Sequence, residues 1–178
     1  MSIRVRVRRL AGLFAALMLA ALVAAPGVAA AKPTKIVLGT PGPIINPAGQ
    51  PCAFQVNFDP IEIKRTIFLK DDGSEVTKLN GYGTLSNPVT GATFLHHVVA
   101  TSTFTYDAAA NEYKIVSSGQ GGVRFYEGDI GPWGIVAAPG LFLRITGRSV
   151  QTFDGDTFAS TSFSFSGTYT DICAVLAG

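Results

Sequence analysis

The sequence predicts an all-β fold: an antiparallel meander of about seven or eight strands closing into a barrel, with a β-sandwich as the alternative. Three observations carry this. Beyond residue 31, apolar residues recur with period two almost everywhere and nowhere with the 3.6 period of an amphipathic helix. Most of these runs end in clusters of Asp, Asn, Gly and Pro, the chemistry of tight turns. The two cysteines, Cys52 and Cys173, flank the run of strands, so the chain ends are expected to meet.

The elements follow in order. Residues 1–31 begin with MSIRVRVRR, which carries four arginines and no acid. An apolar run, LAGLFAALMLAALVAA, follows, then Pro26 and Gly27, then small residues that offer a cleavage site after Ala30 or Ala31. Basic region, apolar region and small-residue exit spell a secretory signal peptide, cleaved from the mature chain. The apolar run is short for a membrane span of about 20 residues. Secretion to the extracellular space is the expected destination.

Removal of the leader reverses the charge. Four of the 14 basic residues lie in it and all 12 acidic residues lie outside, so ten basic residues remain against 12 acidic. No basic cluster is left to hold nucleic acid or an anionic membrane surface. In an oxidising compartment the two cysteines are expected to form a disulfide, which for so long a loop stabilises by about 4–5 kcal/mol in chain-entropy models.

Residues 32–51, KPTKIVLGTPGPIINPAGQP, hold five prolines and three glycines. They read as an irregular arm, with Ile36, Val37 and Leu38 as a short edge strand. Residues 52–178 form the single barrel domain. Its strands are AFQVNF, IEIKRTIFLK, VTKLNGYGTL, TFLHHVVATSTFTY, YKIVSSGQGGVRFY, LFLRITGRSVQTF and TFASTSFSFSGTYTDIC. Interior glycines (Gly81, Gly119, Gly147 and Gly167 among them) weaken a flat strand but permit the coiling that closure needs.

His96 and His97 are the only histidines and stand side by side. In a strand they face opposite ways, so they cannot chelate one metal ion, and no third ligand of the usual kind remains. No metal and no cofactor is expected. The even positions Phe94, His96, Val98, Phe104 and Tyr106 carry the aromatic bulk and are assigned to the interior. Buried His96 is then either a core histidine satisfied by a hydrogen bond or an acid–base group held by a partner.

Residues 127–140, EGDIGPWGIVAAPG, form the one long loop, with Trp133 as the only tryptophan. Either it is a binding loop over a barrel mouth or it plugs that mouth. Arg124, Arg144 and Arg148 share the even face of the flanking strands. Inward-facing arginines there would bind an anionic group, but the alternation of Val123, Phe125, Leu141, Leu143 and Ile145 assigns most of them outward. Nucleophile-elbow and phosphate-loop motifs are absent.

The alanine-rich leader, GDIG…APGLFL, the TGR after it and the terminal TDIC resemble small exported all-β proteins of actinobacteria, a likeness that implies no activity. The architecture is also similar to dirigent proteins and allene oxide cyclases, and GQGGVRFYEG is loosely similar to a glycine-rich strand of that group. That likeness implies an eight-stranded barrel and transfers no catalytic residue.

Three functions follow. The first is a non-catalytic module for a small apolar ligand, with Trp133, His96, Tyr106 and Phe104 as ligand-binding residues. The second is a dirigent- or cyclase-like enzyme. The third is a structural or adhesive protein with a filled core. An interior cavity separates the first two from the third.

Overall fold

A computed structural model describes residues 32–178, so the proposed leader lies outside the described residues. The arm is more regular than its proline content suggests. It supplies β1 (Thr34–Leu38) and β2 (Ile44–Asn46), which pair in turn with one edge of the same long strand, β3 (Val56–Leu69). Between them, residues 39–43 leave the ladder, because Pro41 and Pro43 have no N–H to donate. Thr40 bridges this gap: its Oγ1 accepts from the Ile63 N–H at 3.0 Å and donates to the Ile63 carbonyl at 3.3 Å.

The two runs expected as separate strands around Pro60 are this single strand β3. Its register against β4 (Glu75–Ser86) shifts between Pro60 and Glu62, so the proline sits at a bulge. The meander continues through β5 (Thr93–Asp107) and β6 (Glu112–Phe125). The long loop contains a two-residue hairpin, β7 (Ile130–Gly131) and β8 (Gly134–Ile135). The chain then runs through β9 (Leu141–Asp154), β10 (Ser160–Asp171) and a short helix, α1 (Ile172–Ala177). The helix was not expected. Asp171 caps it, its carboxylate accepting from the Ala174 N–H at 3.1 Å.

One continuous antiparallel sheet results, in the order β1, β3, β4, β5, β6, β9, β10, with β2 also on β3. It does not close: among the described residues β10 pairs only with β9. The sheet is nevertheless curled, because residues from strands well apart in it share one core. Phe58 of β3, Leu85 of β4 and Phe142 of β9 pack together with Ile172 and Leu176 of α1. The disulfide Cys52–Cys173 joins the segment before β3 to the first turn of α1, with Cα atoms 5.4 Å apart. Side chains, the helix and the disulfide thus draw the two flanks of the sheet together.

A line of glycines crosses three strands of the sheet. Gly119, Gly147 and Gly167 pair with one another across β6, β9 and β10, and all three have positive φ. A Cβ on Gly147 would drive into the Ser166 carbonyl of the neighbouring strand, so no other residue fits there without a shift of backbone. The alternation of faces changes across this line. On the turn side, odd positions Ser117 and Ser149 face the concave interior. On the loop side, even positions Arg124 and Phe142 do so. Odd positions Phe125 and Leu143 there turn outward into a second core with Val136 of the long loop, Phe163 and Phe165.

Candidate functional site

The concave face holds a half-open cavity of about 450 Å³ lined by β3, β4, β5, β6 and β9. Along β5 its wall runs from His96 through Val98 and Ala100 to Ser102. Six residue-to-residue steps of about 3.3 Å make this wall roughly 20 Å long. The middle is apolar, with Ile63, Leu79 and Val98. The end near Ser102 is neutral and polar: Ser102 and Ser117 oxygens lie 2.8 Å apart, and Ser149 is buried beside the same space.

The other end is built around His96. The alternation of β5 places it inward, as expected, at 5% exposure, while His97 lies on the outer face stacked on Tyr82 at 5.6 Å. The His96 ring meets Phe58 at 6.3 Å, Phe94 at 6.5 Å and Phe142 at 6.2 Å. Bare backbone at Gly122 makes room for this crowding, since a Cβ there would stand 2.9 Å from the Phe142 ring and 3.3 Å from His96 Nε2. His96 Nδ1 is buried with no hydrogen-bond partner. A buried polar atom in that state is rare and costs free energy.

The charges around the imidazole come from arginines assigned outward by simple alternation, and the structure corrects that assignment. Arg124 lines the cavity, its guanidinium carbon 5.2 Å from the centre of the Phe142 ring. The Arg144 guanidinium stands 4.8 Å over the Phe94 ring and donates to Thr170 Oγ1 at 3.3 Å. The alternation reverses at the glycine line, and a simple odd–even count across β6 and β9 misses it. Burial lowers the His96 pKa from 6.5 to about 4, with Arg144, Arg124 and His97 pushing the same way. The imidazole is therefore neutral near pH 7.

The other three expected ligand contacts lie elsewhere. Trp133 is 63% exposed, its ring edge-on to Tyr169 at 5.3 Å, and it does not line the cavity. The apolar cover over the second core comes from Val136 of the same loop. Phe104 and Tyr106 follow Ser102 on the same face of β5 but lie beyond the cavity end. There Phe104 stacks on Tyr113 at 5.2 Å and Tyr106 lies 4.6 Å from the same ring. The Tyr106 hydroxyl donates to Asn111 Oδ1 at 2.8 Å, and Phe158 closes the aromatic group on Tyr113. These rings satisfy one another at the β5–β6 turn.

No acidic side chain and no tyrosine is among the described residues that line the cavity. Among the described residues no group of three His, Cys, Asp or Glu side chains converges to hold a metal ion, and no helix is long and apolar enough to cross a membrane. Compared with protein-family models, curated proteins and solved structures, the chain finds no match in any of the three.

Proposed function

We propose that the chain is an exported binding module that holds a small, largely apolar ligand against the concave face of its sheet. The observation that carries this is the cavity: about 450 Å³ with an apolar middle and a few polar groups at its ends. Ligand sites of small molecules fall in the range of about 300–1,000 Å³ and have that composition. A filled structural core has no use for such a space. In this reading the fold works as a barrel whose seam beside β10 is sealed by packing, α1 and the disulfide. The disulfide also suits an oxidising compartment, in keeping with the leader.

A cyclase-like enzyme has less support. An acid–base histidine needs a partner to hold and tune it. His96 has neither a carboxylate nor a tyrosine beside it among the cavity-lining residues, and burial keeps it neutral.

Native mass spectrometry of the protein recovered from the medium of cells that export it tests the proposal. The expected result is a chain beginning near Lys32 with extra mass of a few hundred daltons that is lost on denaturation. Protein that is bare as recovered and takes up no apolar compound afterwards would refute it.

A further inference from the structure

We infer that the ligand of this cavity is an apolar monocarboxylate, bound with its carboxylate at Arg124 and His96 and its apolar body along the Val98 wall. The inference rests on the binding role proposed above and adds the charge and orientation of the ligand.

Three independent features point to an anion at this end. The first is the unmatched charge of Arg124. Among the described residues the one side-chain ion pair is Arg65–Glu75 at 3.6 Å, beside the serine end of the cavity, where Thr77 Oγ1 donates to the Glu75 carboxylate at 2.6 Å. Arg124 reaches the cavity with no carboxylate partner, and no acid lines the cavity to supply one. A guanidinium at the wall of an apolar space favours a bidentate carboxylate over any neutral group. The second is the contact of the Arg124 guanidinium with the Phe142 ring, 5.2 Å from its centre, which helps hold the cation at this end. The third is the His96 ring, which lines the same cavity; its Nδ1 is buried out of reach, which leaves Nε2, on the side of Gly122, as the nitrogen that can meet a ligand. The imidazole is a second polar group at the same end, able to donate from one ring nitrogen.

The apolar body follows from the rest of the wall. Phe58, Phe142 and His96 present ring edges and faces close to the polar end. Val98, Leu79 and Ile63 carry the apolar surface onward towards the serine pair. A ligand with its charge at the serine end would leave Arg124 unmatched and meet there only Arg65, already paired with the Glu75 carboxylate.

Isothermal titration calorimetry of the disulfide-bonded protein with 6-phenylhexanoate and with its neutral amide, 6-phenylhexanamide, tests this. The two probes share the apolar body and differ in charge. The carboxylate is expected to bind at least about tenfold more tightly. Arg124→Gln should bring the two affinities together with little change for the amide. Equal binding of both probes to the unmodified protein overturns the inference while leaving the apolar-ligand role intact. Binding of neither probe overturns both. A preference for the carboxylate that survives unchanged in both Arg124→Gln and Arg124→Met also overturns the placement at Arg124, and the comparison on the unmodified protein does not depend on either variant folding.

Discussion

The rings of His96 and Phe142 lie 6.2 Å apart, edge to face, although their strands, β5 and β9, are not neighbours in the sheet. β6 stands between them in the hydrogen-bonded order, and the rings meet across its bare backbone at Gly122. That contact, with Phe58 and Phe94 around it, takes the imidazole out of water and holds its pKa at about 4.

Stability should therefore depend on pH through this group. In the unfolded chain the imidazole takes a proton below about 6.5, whereas the folded protein refuses it until about 4. The contribution is fully present above pH 6.5 and is lost as the pH falls towards 4. The two values bound it at about 3 kcal/mol. Denaturant unfolding across this range should show the decline. Asp72 and Asp154 have lowered pKa values set by hydrogen bonds from Ser74 and Thr157, so they lose their contribution at the acid end of the range or below it. His96→Phe should remove the His96 part of the slope. An unchanged slope in that variant would show that the buried imidazole is not its source.

The two histidines should also differ in reactivity. Diethylpyrocarbonate should modify exposed His97 much faster than His96 in the folded protein, and unfolding should equalise them. Peptide mapping by mass spectrometry reads both rates. Comparable rates in the native state would mean that His96 is open to solvent.

His96 and His97 also show what the sequence makes legible. Within β5 the period of two is unbroken, and it places both side chains correctly. In β6 and β9 the same count fails, because the faces exchange at Gly119 and Gly147. The glycines themselves were visible, and so was their capacity to coil a strand. What a single strand could not show is that Gly119, Gly147 and Gly167 would lie side by side, since that depends on register between strands. Arg124 and Phe142 thus reach the cavity against the pattern. Helix α1 escaped for a different reason: six residues are too few for a period to show, and only the cap at Asp171 marked it. Phe104 and Tyr106 obeyed the alternation yet miss the site, because alternation gives the face and not the depth along the strand.

The glycine line yields the third prediction. Gly147→Ala should destabilise the fold by more than about 2 kcal/mol, since the new methyl meets the Ser166 carbonyl and the backbone sits at positive φ. Thermal unfolding measures it. Gly42→Ala is the control, because nothing lies within 4 Å of a Cβ at that loop position. Equal stability of the two variants would mean that the strands can give way at Gly147.

The fourth prediction concerns the disulfide. Cys52–Cys173 spans 121 residues and joins regions that no strand pairing connects. Ellman titration of the unfolded, unreduced protein should find no thiol. Reduction should cost about 4–5 kcal/mol by the chain-entropy estimate. It should also loosen α1, so hydrogen exchange at residues 172–177 should accelerate more than in β6. A reduced protein with undiminished protection in α1 would show that Ile172 and Leu176 hold the helix by packing alone.

The last prediction concerns Trp133. A tryptophan plugging a barrel would cost about 3–5 kcal/mol on truncation to alanine. Here the indole is 63% exposed and touches one ring, that of Tyr169. The loop around it is held by Asp129. One Asp129 oxygen accepts from the Tyr126 N–H at 2.8 Å and the other from the Ser160 N–H at 2.9 Å, while Ser160 Oγ donates to the Ile130 carbonyl at 2.9 Å. Ser160 is 3% exposed, so loss of the carboxylate strands its amide away from water. Trp133→Ala should therefore cost under about 1 kcal/mol, and Asp129→Ala about 1–3 kcal/mol. The emission of the native protein should be that of a water-exposed indole, and filling the cavity should leave it nearly unchanged, since Trp133 does not line that space. Urea unfolding of the two variants ranks the costs. If Trp133→Ala proved the more damaging, the anchoring of the loop would lie in the indole contact with Tyr169 and not in the Asp129 hydrogen bonds.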